Sequence, residues 1–167
     1  MQSNLASTYD MLGRFDESLS LKQAVYSGFL KLKGESQRDT LIAAYNYATS
    51  LLYLKRFQEG KPMLRKLLPV ARRAVGENDE LTLSLRANYA MALCNANGAT
   101  TDDLREAVTT LEETERVARR VLGGAHPLTM EIECAGWRAG ARLHARENPN
   151  DDGGYIISIP LSRIDRA

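Results

Sequence analysis

Cysteine is scarce in this chain: of 167 residues only Cys94 and Cys134 carry a thiol, and they have neither the number nor the spacing of a disulfide framework. A reducing, cytoplasmic setting is the expectation. An excess of charge is also missing. Lys and Arg number 22 against 21 Asp and Glu, a balance that argues against bulk electrostatic binding to nucleic acid or a membrane surface. No apolar run approaches the roughly 18 residues of a membrane span, and Met1-Gln2-Ser3-Asn4 lacks the basic-then-apolar start of a signal peptide.

Catalytic and metal-binding patterns are equally thin. His126 belongs to a His-Pro turn and reads as structural, while His144 falls near the end of a helix and is expected to be exposed. Neither stands at metal-ligand spacing from a cysteine. Gly123-Gly124 closes a helix instead of following a strand, so it is no phosphate loop. Glu112, Glu113 and Glu115 read as a solvated helix face, and both cysteines as small buried apolar residues. No enzymatic activity, cofactor or metal is expected.

What the chain does have is a repeat. Asn4, Asn46 and Asn88 are 42 apart, each followed two residues later by alanine (Ala6, Ala48, Ala90). Gly34 to Thr40, Gly76 to Thr82 and Gly123 to Thr129 each span six steps, and Phe15-Asp16-Glu17, Phe57-Gln58-Glu59 and Leu104-Arg105-Glu106 align between them. The third unit is five residues longer, with the insertion at 95–101, where an inter-helix turn tolerates one.

Apolar residues at helical spacing predict helices over about 1–12, 15–33, 40–54, 57–75, 80–96, 102–122 and 128–146. Gly13 stops the first, and Gly34 suits a left-handed cap to the second. Pro69 falls in mid-helix, where a bend is expected because the apolar pattern continues across it. Thr101-Asp102-Asp103 supplies capping and first-turn residues to the sixth helix, and Pro127 opens the seventh. The fold class is all-α: a right-handed solenoid of about three helix pairs (1–39, 40–81, 82–127) plus a capping helix (128–146). The first helix begins only three residues before Asn4, which favours reading the chain as a piece of a longer solenoid. Residues 147–167 are expected to be a flexible, disordered tail, although Tyr155-Ile156-Ile157-Ser158-Ile159-Pro160-Leu161 is apolar and could instead dock on this solenoid or on another protein.

The units resemble the 42-residue tetratricopeptide repeats of kinesin light chains and related proteins. The matching residues are Asn4-Leu5-Ala6 with Tyr9, Leu12-Gly13-Arg14-Phe15 with Glu17, Arg72-Arg73-Ala74-Val75-Gly76, and Arg119-Arg120-Val121-Leu122-Gly123-Gly124-Ala125-His126-Pro127-Leu128-Thr129. The likeness covers about 1–146, with the last block the most specific. It implies a protein-binding scaffold whose concave groove, lined by the first helix of each pair, takes a peptide or protein segment. By the same resemblance Asn4, Asn46 and Asn88 face that groove, with Ala135 at the corresponding place in the last helix. An Asn amide donates and accepts, so it can pair with an extended backbone regardless of sequence.

Helical spacing along that face adds Tyr45, Thr49, Tyr53, Met91, Asn95, Arg138 and Arg142. The tyrosines either anchor a ligand or pack between repeats; the two arginines favour an anionic ligand segment. Where chaperone-tail-binding relatives carry lysines, this chain has Ile42 and Ser84, so no such clamp is expected. Lys31, Arg73 and Arg120, with Arg72 and Arg119, form a basic ladder near helix ends that either binds acidic partners or phosphates or, the favoured reading, offsets the macrodipole. The alternative to a binding groove is an assembly segment that self-associates through its exposed ends.

Overall fold

The computed structural model describes residues 2–150, leaving aside the side chains of residues 2–4 and 7. Seven helices and no strand are found there: α1 Gln2–Met11, α2 Phe15–Lys33, α3 Arg38–Tyr53, α4 Phe57–Ala74, α5 Glu80–Asn95, α6 Thr101–Val121 and α7 Pro127–Glu147. Each helix packs on the next, as short connections require. Alternate helices therefore run parallel, and α3 also packs on α5 and α5 on α7. Among the described residues α1 has no such packing with α3. None of these helices is long and apolar enough to cross a membrane.

The core follows the apolar stripes. Leu41, Ala44 and Ala48 of α3, Leu64, Leu67 and Ala71 of α4, and Leu104, Ala107 and Leu111 of α6 close around α5, which is buried over eleven of its 16 residues. Each fully buried leucine contributes about 1.5–3 kcal/mol, so this central layer dominates the favourable side of the balance. Small residues let the helices of a pair approach. Ser18, Gly60 and Ala107 occupy one repeat position and are all buried; a Cβ on Gly60 would stand 2.8 Å from Leu52 Cδ2.

Helix ends are set by side chains and backbone together. Asp79 caps α5, accepting from Leu81 N at 3.0 Å, while His126 Nδ1 accepts from Leu128 N at 3.3 Å ahead of Pro127. Both α1 and α3 end in paired 6→1 and 5→2 bonds: Arg14 N to Tyr9 O and Gly13 N to Asp10 O, then Arg56 N to Leu51 O and Lys55 N to Leu52 O. The pivotal residues are Gly13 at φ 72° and Lys55 at φ 60°.

Several expectations are corrected. The cap of α6 is Thr100, one residue before the anticipated Thr101, because Thr100 and Asp103 form a reciprocal capping box. Helix α3 begins at Arg38, before Thr40, and buries Thr40 within its first turn. Gly34 has positive φ, 84°, but ψ of 170° takes it out of the left-handed helical region. Helix α4, by contrast, runs through Pro69 without a break, in line with the continuing apolar pattern. Cys94 is buried whereas Cys134 is exposed, since its side of α7 faces away from α6 and the core; His144 is half-buried, not exposed. The apolar 155–161 segment lies outside the described residues.

Candidate functional site

Because α3, α5 and α7 run parallel and side by side, residues at one repeat position form rows across them. Thr49, Met91 and Arg138 make one row; Tyr53, Asn95 and Arg142 make the next. Three direct observations place parts of these rows together. Asn88 Nδ2 donates to Thr49 Oγ1 at 3.0 Å, joining α5 to α3. Arg142 Nη1 donates to Asn95 Oδ1 at 2.8 Å, joining α7 to α5. Met91, Asn95, Arg138 and Arg142 border a shallow cavity of about 90 Å³ floored by Leu111 and Ala139.

The three repeated asparagines are not equivalent. Asn88 is 5% exposed and committed to Thr49, so it fastens two helices. Asn46 is exposed and has no side-chain hydrogen bond among the described residues. The difference follows from packing: α5 lies between α3 and α7, whereas α1 does not close on α3. Tyr45 is half-buried against the core, and Tyr53 is 71% exposed with its ring 5.3 Å from that of Phe15. Arg138 and Arg142 are exposed.

The gap between α1 and α3 forms a larger cavity, about 420 Å³, lined by Met11, Phe15, Tyr53 and Leu54 with Asp10 and Lys22 at its polar side. Lys22 Nζ donates to Asp10 Oδ2 at 2.6 Å and to Ser50 Oγ at 2.7 Å. Burial pushes the Asp10 carboxyl up, but the hydrogen bonds from Lys22 and Ser18, with the Lys22 charge, together outweigh it and hold the group below its usual range. Sequence reading missed Asp10, Phe15 and Lys22 as site residues. Phe15 was legible only as a repeat marker, and nothing in a single sequence signals that Lys22 reaches across to α3.

Burial pushes the Cys94 thiol up, leaving it protonated at neutral pH, and Tyr89, behind the row, is pushed up to about 12 by burial and by its hydrogen bond to Glu106. Among the described residues no group of three or more His, Cys, Asp or Glu side chains is gathered to hold a metal ion. The basic residues near helix ends are partly engaged: Arg72 pairs with Glu77, Arg119 with Glu115 at 2.6 Å and Glu133 at 2.9 Å, and Arg120 approaches Asn78.

These parallel first helices, backed by α2, α4 and α6, define a tetratricopeptide-like repeat solenoid. Among solved structures it resembles that of a Podosopora anserina putative kinesin light chain with nearly identical TPR-like repeats, at a TM-score of 0.63 and 17% identity over 91% of this chain and 76% of that one. A single-substitution variant of the same protein gives 0.51 and 15% over 88% and 87%. At these identities the likeness defines the fold. No protein-family model matches the sequence, and no curated protein does.

Proposed function

We propose that the chain is a non-enzymatic interaction scaffold that holds an extended protein or peptide segment against the row formed by α3, α5 and α7. Asn46 carries this reading. Among the described residues it is an exposed amide without a side-chain hydrogen bond, on the face that also bears Thr49 and Tyr53, and an amide so placed can both donate to and accept from a ligand backbone. Met91 and Asn95 continue the face, with Tyr45 and the buried Asn88 supporting it from behind. Arg138 and Arg142 close it with two exposed guanidinium groups, which favours a segment carrying acidic side chains or a carboxylate at that end.

The test is a peptide-array screen of the purified chain beside Asn46→Ala and Arg138→Ala/Arg142→Ala, with circular dichroism to show that all three fold. The reading expects the wild type to select peptides, Asn46→Ala to weaken all of them, and the arginine variant to lose the acidic ones selectively. Selection unchanged in both variants would sink it.

A further inference from the structure

We propose that the outer face of α7 is a self-association surface that takes the same face of a second copy of this chain, the two α7 helices lying antiparallel about a two-fold axis between Cys134 and Trp137. The face is defined by its pattern. Met130, Cys134, Trp137 and Ala141 recur at steps of four, three and four, so they form one stripe along α7, opposite the buried Ile132, Ala135 and Ala139. Met130 is 51% exposed, Cys134 is exposed, and Trp137 and Ala141 are half-buried. Their repeat equivalents in α5 are Leu83, Ala87, Ala90 and Cys94, all of them buried where α5 lies inside the stack. The stripe is therefore the interior face of a first helix, carried at an end of the described stack.

Trp137 shows what does not fit there. At its repeat position the earlier first helices carry Ala6, Ala48 and Ala90, each buried. In the first pair Ser18 Oγ donates to Ala6 O at 2.9 Å, so the second helix lies close against that alanine. An indole in its place would overpack the contact and hold such a helix off. A further helix pair of the same kind is thus not the occupant.

A second copy does fit, in one orientation. With the two-fold axis midway between Cys134 and Trp137, Trp137 meets the partner's Cys134 and Met130 meets the partner's Ala141, so each large side chain faces a small one. Parallel helices would instead set tryptophan on tryptophan and methionine on methionine. Charge follows the same symmetry. Glu131, Arg138 and Arg142 are exposed along one flank of the stripe. The axis keeps that flank on the same side in both copies and brings Glu131 between the partner's Arg138 and the partner's Arg142, about 3 Å along the helix from each at a rise of about 1.5 Å per residue. Carboxylate and guanidinium can pair at that offset, whereas parallel helices would bring arginine to arginine. A stripe one helix wide buries less than the roughly 1,200 Å² of stable complexes, so the dimer forms and parts in the micromolar range.

The inference does not rest on the groove reading, because its test uses the chain alone. The full chain is followed by sedimentation velocity from about 5 to about 500 µM, a range that brackets micromolar association. A reversible monomer–dimer equilibrium is expected, weakened about tenfold or more by Trp137→Ala. Glu131→Arg and Arg138→Glu/Arg142→Glu change exposed positions only, and circular dichroism verifies that they fold; each should associate poorly alone and recover when the two are mixed. Orientation is read by disulfide trapping in a Cys134→Ser background, where Met130→Cys and Ala141→Cys chains should cross-link to each other and not to themselves. Should Trp137→Ala fail to fold, the charge variants and the trapping still decide. A wild type monomeric throughout the range, a dimer indifferent to Trp137→Ala, charge variants that associate no better mixed than alone, or trapping within one cysteine variant instead of between the two would overturn the proposal.

Discussion

Asn88 and Thr49, 39 residues apart, share a hydrogen bond of 3.0 Å in which the amide donates to the hydroxyl, while Thr49 itself donates to Tyr45 O at 2.9 Å. A relay from α5 through a side chain of α3 to the α3 backbone makes Asn88 a fastener. Asn88→Ala removes a buried hydrogen bond, so it should destabilise by about 1–2 kcal/mol. Asn46→Ala should change stability by less than about 0.5 kcal/mol, while weakening ligand. Urea denaturation of the two single variants separates these roles; equal losses would refute the distinction.

Lys55 holds the left-handed position that Gly13 holds one repeat earlier, at φ 60° against 72°. A side chain there costs about 1–2 kcal/mol, part of which glycine returns through its more mobile unfolded chain. Lys55→Gly should raise stability by about 0.5–1 kcal/mol, seen as a higher urea midpoint at unchanged slope. A lower midpoint would mean that the Lys55 side chain contributes more than its backbone costs.

Asp103 gathers three donors: Lys61 Nζ at 2.6 Å, Thr100 N at 3.0 Å and Thr100 Oγ1 at 2.8 Å. Led by the Lys61 bond, they lower its pKa to about 2, against about 3.9 in an unfolded chain. A depressed carboxylate stabilises the fold above pH about 4, and that contribution is lost as pH falls through about 2. With the side chain 22% exposed, solvent screening reduces it to about 1–2 kcal/mol. Asp103→Asn should therefore lower stability at pH 6 and make little difference near pH 2, as chemical denaturation at the two values will show.

The threonines of the Gly-to-Thr blocks also divide. Thr82 Oγ1 donates to Gly76 O at 2.7 Å, whereas the buried hydroxyls of Thr40 and Thr129 have no hydrogen-bond partner among the described residues. Thr82→Val should cost about 1 kcal/mol, and Thr129→Val should be neutral or stabilising by a similar amount. Thermal melts of the pair decide it, and matched losses would contradict the assignment.

Much of the architecture was legible because a repeat states its structure several times. The glycines, the Phe-Asp-Glu and Phe-Gln-Glu helix starts and the alanines of the first helices fixed seven helices to within two residues. Capping was less legible: Thr100 and Thr101 are chemically alike, and only the return bond from Asp103 selects the first. The candidate site was legible as rows but not as contacts. Nothing local to Asn46 and Asn88 distinguishes an exposed amide from a buried one; the difference lies in which neighbouring helix covers each. The α1–α3 cavity was invisible for the same reason, being a failure of packing between elements about 40 residues apart.

That failure of packing has a mechanical side. The second helix pair is fastened to the third twice, through α4 on α5 and α3 on α5, and α7 is likewise held by both α6 and α5. Among the described residues the first pair is joined through α2 on α3 alone. In a stack whose cohesion is a sum of nearest-neighbour couplings, α1 and α2 form the weakest link. Pulled from its amino-terminal end, the molecule would yield this pair first, at low force, and then resist as a single block.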